Sequence, residues 1–312
     1  MKSINMQIIK QNMLMTSELL NIVKLLKKYD IDLIAFKGPT LSQMAYGNIS
    51  LRQYVDLDIF INKKDTYIIQ DLMFKNNYNR SLELGLSQEK IWFKYAHDIG
   101  FKNQINGTNI EFHWSMLDTD HPVSLLNMDF FDDKKNLQLN NIDIPIVSNE
   151  KFLVYLCIHG SKHMFERVEW VVDIDKFIKN QKLDWNKILD IVEKDNSIKF
   201  FILGLYMSNL LYHTPIDERF EKYFDADIKT IAEYIFSCWN KDNEFNTKNN
   251  LKFMIKLFIS RSDKLQYLHK IYLKPTFVEY WYISFPEPLY FLYYPLRQYL
   301  LIKKYLFSKI FY

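Results

Sequence analysis

The sequence predicts an α+β protein, with an N-terminal unit of mixed β-sheet and flanking helices over residues 1–148 and an all-helical unit over 149–312. Three observations carry this. Helical and strand-like hydrophobic periods alternate through the first half. Beyond Ser148 the strand patterns cease and helical periods take over. Only 7 glycines and 8 prolines punctuate 312 residues, which argues against glycine-looped Rossmann and many-turned all-β designs and favours long helices.

The elements follow in order. Leu19, Leu20, Ile22, Val23, Leu25 and Leu26 recur at helical spacing and stop at Tyr29-Asp30. Residues 31–36 read as a short strand ending at Lys37-Gly38, and Pro39 opens a helix that runs to about Tyr46. Residues 54–61 alternate as a strand, with Val55, Leu57 and Ile59 on the core side, and a helix follows over about 65–75. A hairpin pairs 92–103 with 109–115 around Asn106-Gly107, a dipeptide suited to positive φ, and a second hairpin spans 136–147 around Asn140-Asn141. Ser148 is an N-cap residue type. Helical periods then cover 152–164, 168–178, 185–192, 198–212, 228–239 and 251–259.

Composition narrows the function classes. Hydrophobic residues make up 48% and charged residues 25%, so a full core can form and wholesale disorder is excluded. Cys157 and Cys238 lie in apolar helical contexts with no CxxC pair, so neither a disulfide framework nor a thiolate zinc site is expected. Residues 1–15 lack the apolar run of a signal peptide, and no uncharged stretch reaches membrane-spanning length, so a cytoplasmic protein is expected. The net charge is +3, but residues 251–312 carry ten Lys/Arg against three Asp/Glu, which leaves −4 for the rest. Residues 271–312 also hold fifteen aromatics, and Leu296, Tyr299, Leu300, Lys303 and Lys304 recur at roughly helical spacing, with Lys309 beyond. Either this segment packs its rings on the helical unit and exposes its lysines, or it meets an anionic partner, RNA or a membrane surface.

The chemistry concentrates in Phe36-Lys37-Gly38-Pro39-Thr40, Arg52 and Val55-Asp56-Leu57-Asp58-Ile59. Strand residues i and i+2 share a face, so Asp56 and Asp58 stand together and offer hard oxygen donors to a divalent cation. A strand, Lys-Gly turn and helix start give a phosphate close backbone approach, free N–H groups and a point charge. A lone DxD or Lys-Gly is common; the ordered set is far more specific.

The arrangement Lys37-Gly38…Leu41…Tyr46…Arg52…Asp56-Leu57-Asp58 resembles the putative nucleotidyltransferase family of the polymerase-β-like superfamily, as do Glu111-Phe112-His113-Trp114, His159-Gly160-Ser161-Lys162-His163 and Trp170…Asp173. Abortive-infection toxin nucleotidyltransferases share a similar KG…R…DxD layout. The sequence departs from commoner superfamily members, which have Gly-Ser where this chain has Gly38-Pro39 and a shorter gap to the DxD. The resemblance implies a nucleotidyltransferase-like N-terminal domain that uses Mg²⁺ or Mn²⁺ to move an NMP from an NTP such as ATP to an acceptor, releasing pyrophosphate. It implies that Asp56, Asp58 and Glu111 hold the metal and that Lys37, Gly38, Thr40, Arg52 and Lys162 meet the nucleotide. The acceptor is left open between a small molecule, sugar, peptide or protein. Alternatives are a toxin-like enzyme that nucleotidylates RNA or tRNA and a non-catalytic nucleotide-binding module.

Alternation alone leaves the third carboxylate open. Glu111 shares a face with His113 and Ser115, while Asp98 is placed by the hairpin nearly opposite Ser115. The superfamily resemblance favours Glu111. His159 and His163 stand at i and i+4 on a helix, but no third ligand follows at metal spacing, so structural zinc is not expected. His159, Lys162 and His163 either line the cleft between the two units or form a solvated helix face, and Asp173 faces that cleft or pairs with Arg167.

Overall fold

The computed structural model describes residues 2–116 and 129–307. Helix α1 (Lys2–Lys28) buries Met15, Leu19, Ile22, Val23 and Leu26, the i, i+3, i+4 stripe that the sequence carries. Strand β1 (Leu33–Ala35) follows and turns into α2 (Gly38–Tyr46), which ends at Gly47 in the left-handed conformation. Next come β2 (Asp56–Ile61), α3 (Thr66–Lys75), β3 (Tyr78–Arg80), α4 (Leu86–Tyr95), β4 (Asp98–Asn103) and β5 (Asn109–His113).

These five strands form one mixed sheet in the order β1-β2-β5-β4-β3, in which β2 and β5 run parallel and the other neighbours are antiparallel. The parallel pair aligns Asp58 with Glu111, which sets the charged face of β2 beside that of β5. On the opposite face Leu57, Ile59, Ile110 and Phe112 are buried. A separate hairpin joins β6 (Lys135–Leu139) to β7 (Ile142–Ile146), and Asn140 and Asn141 at its turn both adopt positive φ, as a type I′ turn requires.

The remaining elements are helical. They are α5 (Asn149–Lys162), α6 (Glu169–Asn180), α7 (Trp185–Lys194), α8 (Ile198–Tyr212), α9 (Ala226–Trp239), α10 (Thr247–Leu257), α11 (Arg261–Tyr272), α12 (Phe277–Tyr282) and α13 (Tyr293–Phe307). Helix α5 is buried along almost its whole length and packs against α6, α7 and α8. It turns sharply at its end because Gly160 leaves room for the Phe165 ring; a Cβ there would stand 2.2 Å from it. Helix α6 also lies against α2, so a hydrophobic core runs continuously from the sheet through α5 into α8. Among the described residues no helix is long and apolar enough to cross a membrane.

Several local expectations need correction. Residues 92–95 continue α4 instead of starting a strand; the indole of Trp92 donates to the Asp98 carbonyl (2.6 Å), and the strand begins there. Val55 precedes β2 and is 62% exposed, so the core face starts at Leu57. Asp98 pairs with His113 across β4–β5, two residues from the expected position opposite Ser115. Among the described residues, the C-terminal rings pack on α4 and on one another: Phe277 lies 4.7 Å from Trp92, and Tyr280 and Tyr293 close a small second core with Ile91. Lys309 lies outside the described residues.

Candidate active site

The site starts at the β1–α2 turn. Lys37 is extended and Gly38 takes φ +53°, a conformation that only glycine enters without strain. A Cβ on Gly38 would also stand 3.2 Å from the Asp56 carbonyl oxygen, so the turn lies tight against β2. The Thr40 N–H (3.2 Å) and hydroxyl (2.8 Å) both donate to the Lys37 carbonyl, and Thr40 is fully buried. Its polar groups hold the turn closed.

That turn aims the Lys37 ammonium at β2, where it lies 3.3 Å from Asp58 Oδ1 and over the ring of Tyr155 on α5. His113 reaches the same carboxylate from β5, its Nε2 donating to Asp58 Oδ1 over 3.1 Å and lying 3.5 Å from Glu111 Oε2. Ligand atoms of Asp58, Glu111 and His113 all fall within 4.8 Å of one another. Asp58 is nearly enclosed, whereas the Glu111 side chain remains 42% exposed.

The charges interlock. Burial would raise the proton affinity of Asp58, but Lys37 and His113 hold its carboxyl well below the usual range. Burial would also discharge Lys37 and His113; the Asp58 carboxylate outweighs it, keeping Lys37 an ammonium and, with Glu111, lifting His113 to about 9. Asp56 goes the other way. Burial and the negative charges of Asp58 and Glu111 raise its pKa against the opposing pull of Lys37 and Arg52. Ionising Asp56 is therefore costly beside Asp58 and Glu111 in this buried setting.

A cleft of about 590 Å³ opens over this face. Lys37, Arg52, Asp56 and Asp58 line one side, and His159, Arg167, Trp170 and Asp173 line the other. Arg52 is held across it, its Nε donating to both oxygens of Asp173 at 3.0 Å while the Tyr46 hydroxyl donates to Oδ1 at 2.8 Å. Asp173 thus pairs with Arg52, and Arg167 lies 3.7 Å from Glu169. His159 faces the cleft, and burial together with the positive charges of Lys37 and His163 keeps it neutral. Lys162 and His163 are not among the lining residues. Asp98 forms a different group, with His97 and His113.

Four residues of this site carry no assignment from the sequence: His113, Tyr46, Tyr155 and Trp170. His113 was legible as a neighbour of Glu111, two residues on along the same strand face. Tyr155 stands one turn before His159 on α5, and their rings stack with centroids 5.6 Å apart.

Comparison with known proteins adds the following. A family model described as an uncharacterised nucleotidyltransferase matches residues 1–213. No curated protein matches the sequence. Solved structures with partial likeness include ANT(2")-Ia in complex with adenylyl-2"-tobramycin, at 7% identity and TM-score 0.42 over 58% of this chain and 98% of that one. The lincomycin-bound lincosamide antibiotic adenylyltransferase LnuA gives 13% identity and TM-score 0.37 over 53% and 97%. An antigenic nucleotidyltransferase-like protein from Paracoccidioides brasiliensis gives 17% identity and TM-score 0.36 over 57% and 88%.

Proposed function

The chain belongs to the uncharacterised nucleotidyltransferase family, and from that premise we propose that it is a divalent-metal-dependent enzyme moving an NMP from an NTP onto an acceptor in the cleft beside Asp56 and Asp58. One observation carries the proposal: Asp56, Asp58 and Glu111 stand on one face of two paired strands, beside a lysine-glycine turn whose ammonium reaches Asp58.

The donor set fits a hard cation. It offers three carboxylates and no thiolate, which suits Mg²⁺ or Mn²⁺. Asp56, Asp58 and Glu111 would hold it; when bound there, the ion neutralises triphosphate charge and makes an acceptor oxygen a better nucleophile. The chain supplies the rest. Lys37 offers a point charge to the phosphates, and Gly38 permits close backbone approach. Arg52, fixed by Asp173 and Tyr46, is oriented before substrate arrives. His113 steers the Asp58 carboxylate as a positioning residue. Thr40 holds the turn that presents Lys37 and Gly38. The acceptor occupies the wall of His159, Arg167 and Trp170, where rings and charges adjoin.

The test is incubation with α-labelled NTPs and Mg²⁺, with small-molecule, protein and tRNA fractions offered separately as acceptors. Label should pass to one fraction with the wild type and to none with Asp56→Asn or Asp58→Asn. Equal labelling by the double variant would remove these carboxylates from the reaction.

A further inference from the structure

The C-terminal helices carry a surface that the transfer reaction does not use. The inner faces of α12 and α13 pack against α4 and each other. Tyr280 and Tyr293 are buried against Ile91, and Arg297 donates to Glu279 (3.2 Å) and to the Ile271 carbonyl (2.8 Å). Among the described residues, part of the outer face of α13 is exposed. Tyr299 and Ile302, one helical turn apart, are each 56% exposed, and Lys303 adjoins them at i+4 from Tyr299. The Lys303 ammonium lies 6.0 Å over the ring of Tyr282, itself 57% exposed, which joins α12 to the same surface. Phe291, just before α13, is 64% exposed.

Isolated exposed apolar residues are ordinary; rings and aliphatic groups gathered beside lysines are not. The charge around them is also one-sided. Residues 251–312 carry +7, and of their three acids Glu279 is fully buried against Arg297. We propose that the Tyr282, Tyr299, Ile302 and Lys303 face docks on an anionic phospholipid surface. Ile302 gains by leaving water at the boundary of headgroups and acyl chains. Tyr282 and Tyr299 can bury their rings there while keeping their hydroxyls wet, and Lys303 and Lys304 meet the anionic headgroups. Nucleic acid suits this face less well. An isoleucine neither stacks on a base nor hydrogen-bonds to one, and the guanidinium on α13, Arg297, is already engaged by Glu279.

The test is co-sedimentation of the full chain with vesicles of phosphatidylcholine alone or mixed with phosphatidylserine. Binding should require phosphatidylserine and weaken steeply with salt, because screening acts on exposed charges. It should fall at least about tenfold in Lys303→Glu/Lys304→Glu and in Tyr299→Ser/Ile302→Ser, with helicity and nucleotidyl transfer unchanged. Three results would overturn the proposal: no binding to anionic vesicles at low salt, full binding retained by both double variants, or RNA binding or self-association through this face in place of vesicle binding. Transfer activity is independent of every one of these outcomes.

Discussion

A methyl group at position 38 would meet the Asp56 carbonyl oxygen at 3.2 Å and would have to accept φ +53°. The Gly38→Ala variant should therefore lose about 1–2 kcal/mol of stability, measured by denaturant unfolding, and should lose more transfer activity than that destabilisation explains, because the strain falls on the strand end bearing Asp56. Wild-type stability would show that the turn relaxes freely. His113 offers a second test at this scale. Removing its donor to Asp58 in His113→Ala should lower transfer or metal affinity roughly 10–100-fold, with His113→Gln retaining more than His113→Ala. Equal loss in both would make the ring a packing element only. At this scale Asp56, Asp58, Lys37 and Gly38 were legible because i, i+2 alternation and a Lys-Gly turn are local patterns. The Arg52–Asp173 pair was not, since 121 residues separate its members and no local period connects them.

Between elements, α2, the chain leading into β2, and α6 are tied by that pair. Asp173 is 2% exposed and accepts from Arg52 and Tyr46, so Arg52→Ala leaves a buried carboxylate without its cation and should cost about 3 kcal/mol. Arg52→Lys should recover only part of it, because an ammonium lacks the planar donor geometry. Thermal unfolding measures both; a cost near zero for Arg52→Ala would mean that water replaces the guanidinium. Helix α5 supplies a pH test. His159 is held neutral by burial, Lys37 and His163, so its folded pKa lies below the unfolded value of about 6.5. Its contribution is complete above that pH and is lost as pH falls below it, because the unfolded chain then binds a proton that the folded one refuses. Stability of the wild type should fall more steeply below pH ~6.5 than that of His159→Gln. Parallel curves would place the acid loss elsewhere. Among the elements, the β6–β7 hairpin was legible because two asparagines with positive φ mark its turn. Helix α4 was not. Its Ile91 and Trp92 face the C-terminal segment rather than the sheet, so a helix resembles a strand when only its apolar residues are read.

For the whole molecule, the change from alternating elements to helices near Ser148 was legible from hydrophobic period, whereas the return of α12 to α4 was not, since rings do not announce which surface they will cover. The fold brings β2, the β1–α2 turn and the α5–α6 wall around one cleft, with Glu111 of β5 paired beside Asp58, and the central claim is that a divalent ion binds there with an NTP. Paramagnetic Mn²⁺ titration of the full chain, with and without a non-hydrolysable NTP analogue, measures this without requiring the acceptor. The wild type should bind Mn²⁺ more tightly with the analogue present, and Asp56→Asn/Asp58→Asn should weaken that binding by more than about 100-fold while keeping the far-UV circular dichroism of the folded chain, with a lowered unfolding temperature because Lys37 and His113 lose their buried counterion. Unaltered Mn²⁺ binding in the folded double variant would contradict the account.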